Sequence, residues 1–563
     1  MAVSSRMSET MTATLLARDL TLSFGDHLIL DAVDVAVASR DRVGVVGPNG
    51  TGKTTLLRVL AGLQAPDRGA VSLAPPTATV GYLPQEPERR PGETVRAFLA
   101  RRTGVTAASA ELEHATVVIE TEHDRYDAAL TRWLSLGGAD LDSRIGPMWA
   151  ALGLDARLLD QDMSTLSGGQ AARASLGAIL LAQFDIFLLD EPTNDLDFDG
   201  LERLEGFLES LPGAAMVVSH DRAFLERTIT SVLELDGQTH QGRVFAGGWL
   251  AYLEERETAR RHAEEAYEVY QSKRGTLEDR ARSQRQWAVQ GVTKAKKNPK
   301  DNDKAQRDFR LNRTEKQASK VRVTEKALDR LETVDKPWEG WELQLSIASA
   351  PRSGAVVARL SEAVIERGDF RLGPVDVEIG WADRVAILGP NGSGKTTLLN
   401  ALLGRLPLTS GTQWLGPGVV VGEIDQARAS LTHDEPLVDA FVRASGVARQ
   451  QDARSLLAKF GLTADHVSRP IASLSPGERT RAVLAVLMAR GTNCLVLDEP
   501  TNHLDMTAIE QLEQALDTFD GTLLLVTHDR RLLDAVRIDR TITVGANPAT
   551  SGSPTPRRSD AAG

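Results

Sequence analysis

Cysteine is almost missing from this 563-residue chain: Cys494 stands alone, so no internal disulfide can form and a reducing cytoplasm suits the protein best. Nowhere does an uninterrupted apolar run approach the roughly 18 residues that a bilayer span requires. The opening MAVSSRMSETMTATLL also lacks the apolar core of a signal peptide. The chain is therefore expected to form no transmembrane path. Positive charge is in deficit as well, with 65 Lys and Arg against 77 Asp and Glu and a net charge of −12, which argues against indiscriminate nucleic-acid binding. That deficit is uneven. Residues 282–322 hold 13 Lys or Arg and 4 Asp or Glu, a local excess of +9, and no acidic residue occurs between Arg282 and Lys300. Otherwise 42% hydrophobic and 25% charged residues are ordinary for a globular protein of several domains.

What is present is a duplication. The first copy holds Gly47-Pro48-Asn49-Gly50-Thr51-Gly52-Lys53-Thr54, Leu166-Ser167-Gly168-Gly169-Gln170, Asp190-Glu191 and His220. The second holds Gly389-Pro390-Asn391-Gly392-Ser393-Gly394-Lys395-Thr396, Leu474-Ser475-Pro476-Gly477-Glu478, Asp498-Glu499 and His528. The serines (475 − 167), glutamates (499 − 191) and histidines (528 − 220) are all offset by 308, which is a repeated domain and not a solenoid.

Each copy reads as an α/β domain. The runs beginning at Arg42 and Arg384 are short strands leading into Gly-rich turns, and each turn opens a helix at Lys53-Thr54-Thr55 or Lys395-Thr396-Thr397. The runs Ile186 to Leu189 and Leu495 to Leu497 have no polar alternation, as in strands of a sheet covered on both faces. The distance from Gln85 to Ser167 is 82 residues, against 49 from Gln426 to Ser475, so the first copy carries 33 extra. These are expected near 95–140, where Ala110 to Leu136 reads as helical and Trp133 is able to pack on the domain, as a surface elaboration or an interaction arm. The expected organisation is an N-terminal tail at 1–13, the first domain at 14–246, a linker at 247–336, the second domain at 337–545 and a Pro-, Ser- and Thr-rich tail at 546–563. Within the linker, Ala263, Ala266, Tyr270 and Leu277 recur at helical spacing, as do Val321, Leu328 and Leu331. Gly291 and Asn298-Pro299 mark the break between two antiparallel helices with a basic tip. About 40 residues per helix give a rod of roughly 60 Å.

The chemistry is that of a bound nucleoside triphosphate. In GxxxxGK[ST], the glycines (Gly47, Gly50 and Gly52; Gly389, Gly392 and Gly394), with Asn49 and Asn391, let successive backbone N–H groups face phosphates. Lys53 and Lys395 reach the β and γ phosphates, and Thr54 and Thr396 ligate Mg²⁺ with Asp190 and Asp498 at the strand ends. Glu191 and Glu499 are placed to polarise the attacking water, while His220 and His528, each ending another apolar run, face the γ phosphate.

These motifs resemble the ATP-binding cassette superfamily, with Leu166 to Gln170 as its signature. The resemblance implies a head-to-tail sandwich within one chain, a monomer, in which each signature completes the other domain's ATP site. Lys53 would work with Ser475, Gly477 and Glu478, and Lys395 with Ser167, Gly168, Gly169 and Gln170. Gln85 and Gln426 match the glutamine loops that reach the metal, and Asp197 and Asp505 match the loops after the glutamates. The tandem arrangement, the insertion, the basic linker and the second signature together resemble the F subfamily. That implies action on the ribosome, with the linker directed toward ribosomal RNA and the P-site transfer RNA, in translation or in relief from antibiotics. Arg282, Arg285, Lys294, Lys296, Lys297, Lys300, Lys304, Arg307, Arg310 and Arg313 are then the expected RNA contacts, with Trp287 near them.

Two departures stand out. Phe24 occupies the position that stacks on adenine in the first site, but the following Gly-Asp aligns it with Arg367 in the second; an arginine can stack on a base plane. Asp195 stands where the second copy has His503. The alternatives to ribosome action are an ATPase subunit of a separate drug exporter, which has no use for a basic rod, and a DNA-associated repair ATPase using the same linker.

Overall fold

The computed structural model describes residues 13–84, 90–194, 196–237, 239–297, 352–368, 370–424, 427, 430–431, 435–474, 476–502 and 504–545, with backbone alone at 281, 284–297, 476, 477 and 507. Gln85, Asp195, Gln426, Ser475 and His503 lie outside the described residues, as do Lys300, Lys304, Arg307, Arg310 and Arg313, the helix expected around Val321 to Leu331, and both expected tails apart from Ala13.

Each repeat combines a three-stranded antiparallel sheet with a larger parallel one. In the first, β1 (Thr14–Phe24) pairs with β2 (His27–Ala38) and β4 (Arg68–Ala74). The main sheet runs β5 (Val80–Leu83), β6 (Ile186–Asp190), β7 (Ala214–Val218), β3 (Arg42–Val46), β8 (Ser231–Leu235), β9 (Gly242–Ala246), and only β8–β9 is antiparallel. In the second repeat β10 (Val356–Arg367) pairs with β11 (Phe370–Gly380) and β13 (Ser410–Leu415). Its parallel sheet runs β14 (Val421–Glu423), β15 (Cys494–Asp498), β16 (Thr522–Val526), β12 (Arg384–Leu388), β17 (Arg540–Thr543). The α/β reading of the sequence holds.

The period of 2 in a strand explains why the central strands show no polar alternation. In β15 and β16, Leu495, Leu497, Leu523 and Leu525 enter a core shared with the helices Pro476–Ala489 and Met506–Asp517. Cys494, Val496, Leu524 and Val526 enter the opposite core, with the helix Lys395–Leu402 and the β10–β11 hairpin. Both faces are covered, so both sets of side chains are apolar. Burial pushes the Cys494 thiol up to about 12, which makes it a packing residue.

Two strands nevertheless begin with a buried charge. The Arg42 guanidinium donates to the carbonyls of Leu208 (2.7 Å) and Gly213 (2.8 Å) and also to Leu211. Arg384 donates to Leu516 (2.7 Å) and Phe519 (2.8 Å). The Leu208 and Leu516 carbonyls lie in the last turns of the helices Phe198–Ser210 and Met506–Asp517, and those of Leu211, Gly213 and Phe519 lie just past them. Carbonyls left unpaired by a helix C-terminus, together with its negative dipole end, offset the desolvation of the cation.

The extra residues of the first repeat correct one expectation. The single helix from Ala110 to Leu136 is two, Val105–Val117 and His123–Ser135, folded on each other. Trp133 does not reach the body of the domain through its indole N–H, which donates to Ser109 Oγ across that hairpin at 2.9 Å. The linker brings another correction. One helix runs unbroken over Gly248–Lys297, straight through Gly291. A lone glycine costs only about 1 kcal/mol relative to alanine, whereas Pro299 cannot donate its missing N–H. Fifty residues at about 1.5 Å each give roughly 75 Å. Among the described residues no helix is long and apolar enough to cross a membrane.

Candidate active site

Strand β3, a turn and the helix Lys53–Leu60 build the first phosphate loop; β12 and the helix Lys395–Leu402 build the second. Gly52 and Gly394 cap these helices with φ 94° and 99°, a conformation that glycine adopts without a Cβ penalty. The Lys53 ammonium donates to Gly47 O (2.8 Å) and Pro48 O (3.0 Å), and Lys395 to Gly389 O (2.9 Å) and Pro390 O (3.3 Å). Burial lowers both lysines, opposed by the nearby carboxylates, among them Glu191 for Lys53 and Glu499 for Lys395. Thr54 and Thr55 line the first cavity, of about 390 Å³, with Asn49, Gly50, Asp190, Glu191 and His220. Thr396 and Thr397 line the second, of about 430 Å³, with Asn391, Gly392, Asp498 and Glu499.

Asp190 and Glu191 leave the end of β6 as Asp498 and Glu499 leave β15. Both glutamates adopt left-handed backbone, φ 50° and 47°, which costs an ordinary residue on the order of 1–3 kcal/mol. The turn is held by Glu191 N–H to Val218 O and Glu499 N–H to Val526 O, each 2.9 Å. Burial raises Asp190, against the hydroxyls of Thr54 and Tyr82 that bond to it, and its Oδ1 has no partner. In the second repeat Thr396 Oγ1 donates to Asp498 Oδ2 at 2.7 Å. A hydroxyl beside a carboxylate, with a buried oxygen left over in one case, is a hard-oxygen donor set of the kind Mg²⁺ takes.

The first signature turn is a helix cap. Ser167 Oγ accepts from Gln170 N–H (3.4 Å) and the Gln170 side chain accepts from Ser167 N–H (3.0 Å), a capping box at the start of the helix Gly168–Leu181. That N-terminus meets the opposite repeat: a Cβ on Gly169 would stand 3.0 Å from the Asn391 Cβ. Arg173, one turn on, donates to Asn391 O at 2.6 Å, and Asn391 N–H donates to Asp197 Oδ2 at 2.9 Å. The reciprocal bond, Asn49 N–H to Asp505 Oδ2, is 3.4 Å. The helix containing Gly477 and Glu478 begins at Pro476, and Glu478 lies 3.2 Å from His466 Nε2.

The ABC transporter family model matches residues 30–194 and 372–502, which contain both loops and both Asp-Glu pairs. The chain belongs to that family of ATP-binding cassette proteins. The tylosin resistance ATP-binding protein TlrC of Streptomyces fradiae is 34% identical over 532 residues, covering 91% of this chain and 94% of that protein. The energy-dependent translational throttle protein EttA of Mycobacterium tuberculosis is 33% identical over 530 residues, 91% of this chain and 88% of that one. A crystal structure of an archaeal complex of ribosomal stalk protein aP1 with ribosome recycling factor aABCE1 shares the fold at a TM-score of 0.51, with 20% identity over 93% of this chain and 87% of that chain. The chain is an F-subfamily cassette protein with two cassettes, and it is an ATPase.

The cassettes make a head-to-tail pair but not a symmetric one. His220 Nε2 lies 3.2 Å from Glu191 Oε1. In the second cassette the histidine faces the lysine instead: Lys395 Nζ is 2.9 Å from His528 Nε2, which is 3.5 Å from Glu499 Oε1. Burial pushes His220 down to about 3, helped by Lys53, and His528 down to about 4, helped by Lys395 and opposed by Asp197. Both imidazoles are therefore neutral at pH 7. Burial raises Glu191 to about 7 against the pull of Lys53.

At the adenine positions, Phe24 is 52% exposed and does not line the first cavity, where Ile29 does. Arg367 lines the second together with Phe370. Sequence reasoning missed Phe370, and also Arg173, Tyr82 and the buried Arg42 and Arg384. Arg173 left a trace, since 173 + 308 is Arg481 and both follow a signature by the same interval, and Arg42 and Arg384 recur at the offset of Lys53 and Lys395, 342; Phe370 left none at its own offset.

Proposed function

We propose that this ATPase acts on the ribosome from the cytoplasm, ATP closing the cassettes and hydrolysis releasing them, with the basic linker contacting ribosomal RNA and the P-site transfer RNA, so as to modulate translation or protect it from an antibiotic. The observation that carries the reading is the likeness, over about nine-tenths of the chain, to one protein named for tylosin resistance and another named as a translational throttle. The charge pattern supports it. Residues 248–281 of the long helix hold 8 acidic and 6 basic residues, whereas 282–297 hold 5 basic and none acidic. Phosphate contact through Arg282, Arg285, Lys294, Lys296 and Lys297, continuing through Lys300, Lys304, Arg307, Arg310 and Arg313, is salt-sensitive by nature. The protein works as a monomer, its two ATP sites lying within one chain.

In this reading Lys53 and Lys395 hold the β and γ phosphates. Asp190 with Thr54, and Asp498 with Thr396, hold Mg²⁺, with Gln85 and Gln426 reaching it; the ion neutralises phosphate charge. Glu191 and Glu499 polarise water. A neutral His220 or His528 donates to the γ phosphate, and Ser167 with Gly169, or Ser475 with Gly477, closes the far side. The test is ribosome co-sedimentation of Glu191→Gln with Glu499→Gln, with ATP, beside the same variant lacking residues 282–322. Retention that requires both ATP and those residues is expected. Pelleting independent of ATP, or none at all, sinks the reading.

A further inference from the structure

The two ATP sites differ at the nucleoside end by one residue of chain. From Phe24 to Gly47 is 23 positions, and from the aligned Arg367 to Gly389 is 22. The hairpins show where the residue goes. In β1–β2, Ser23 pairs with Leu28 but Leu22 pairs with Leu30, so Ile29 is a bulge. In β10–β11 the pairs Arg367–Phe370, Glu366–Arg371 and Ile365–Leu372 run without a skip. A bulge re-aims a side chain, and Ile29 turns onto the first phosphate loop, where its Cγ2 would lie 2.6 Å from a Cβ on Gly52. Without a bulge, a longer side chain reaches the same place: the Cζ of Phe370 would lie 2.6 Å from a Cβ on Gly394. Phe370 lines the second cavity beside Arg367, Thr396 and Thr397.

We propose that Phe370, paired with Arg367 across the hairpin end, is the specificity-determining aromatic of the second ATP site and packs on the nucleoside end of the ATP whose phosphates Lys395 holds. The aromatic that alignment fails to find at 367 has moved three residues along the chain to the facing strand. An aromatic ring offers a π-face and apolar area to a base, with Arg367 able to lie over the other side. At the first site Phe24 is half-exposed and outside the cavity, and the aliphatic Ile29 stands on the loop. The two sites therefore discriminate among triphosphates by different surfaces. The inference rests on the second loop binding a triphosphate, not on any action at the ribosome.

The experiment uses the full chain with Lys53→Ala, which leaves the second site to be read, and titrates ATP and inorganic tripolyphosphate by calorimetry. Phe370→Ala is expected to weaken ATP by about tenfold and tripolyphosphate by no more than about twofold. Phe370→Leu, which keeps apolar volume under the loop, is expected to show the same selective loss, and Phe370→Trp to retain ATP binding. An equal loss for both ligands would mean that Phe370 only packs the phosphate loop, and ATP binding unchanged in Phe370→Leu would mean that no aromatic contact is made. Either result overturns the proposal. If tripolyphosphate binds neither parent nor variant while ATP binding falls only in Arg367→Ala, the arginine alone holds the base and the proposal also fails.

Discussion

The two ATP sites descend from one motif set, yet their charged groups are wired differently. At the first, the glutamate is buried, raised to about 7, and 3.2 Å from a neutral His220. At the second, the histidine has gone over to Lys395 at 2.9 Å, leaving Glu499 at 3.5 Å. The neighbouring strand differs as well: Tyr82 of β5 bonds Asp190 at 3.1 Å, whereas β14 places Glu423 at the matching position, engaged with Arg405. Across the sandwich the bond from Asn391 to Asp197 is short and seconded by Arg173, while the bond from Asn49 to Asp505 is long. Identical catalytic letters thus sit in unequal fields, because the shells around them are set by residues that the motifs do not include.

The largest effect is expected at the glutamates. Glu191→Gln and Glu499→Gln together are expected to lower ATP turnover by roughly 10²- to 10³-fold, and the singles to lower it unequally; equal singles, measured by phosphate release, would erase the asymmetry. Next come the buried arginines. Arg384→Ala and Arg42→Ala remove buried donors from carbonyls at and just past helix ends and are expected to destabilise by roughly 3 kcal/mol each. Arg384 is the larger effect, being 1% exposed against 6% for Arg42; urea unfolding decides it.

A pH titration sharpens the contrast further. In a Glu499→Gln background the remaining site depends on ionised Glu191, so activity is expected to climb with an acid limb near pH 7. The linkage sign is opposite for stability. The folded carboxyl holds its proton above the unfolded value of 4.5, so its contribution is present at low pH and is lost as pH rises through about 7, where Glu191→Gln should be the more stable chain. An acid limb near 4.5 would contradict the buried assignment. On the proposed cycle, Asp197→Ala should weaken closure by ATP by about 1 kcal/mol and Asp505→Ala by less, read from the ATP dependence of compaction by small-angle scattering. Smallest of all, Arg531→Ala removes the pair with Glu226, both about two-fifths exposed or slightly less; it should cost under about 1 kcal/mol and vanish at high salt. A loss larger than that for Asp197→Ala would place the closing energy in the peripheral pairs instead.

Much of this site was legible before any coordinates. Periodicity and spacing identify the loops, the Asp-Glu strand ends and the histidines because each motif is local: a strand, a turn and a helix start carry their own chemistry. Reading the arm as one helix failed because residues 118–122 carry no Gly or Pro to mark the turn between its two helices. Reading Gly291 as a break failed because one glycine is a weak breaker within a long run of helix formers.

The sequence alone determined that there are two phosphate loops, that they belong to duplicated α/β domains, and that positive charge is gathered in one stretch between them. Only the tertiary structure decided which groups face which: His528 toward Lys395, Asp197 and Arg173 toward Asn391, Arg42 and Arg384 onto helix ends, and Phe370 beneath Gly394 for want of a one-residue bulge. The physical reason is that backbone chemistry repeats with short spacing and can be read along the chain, whereas burial, pKa and contact between repeats depend on neighbours that the fold brings in from other elements, which no local pattern records.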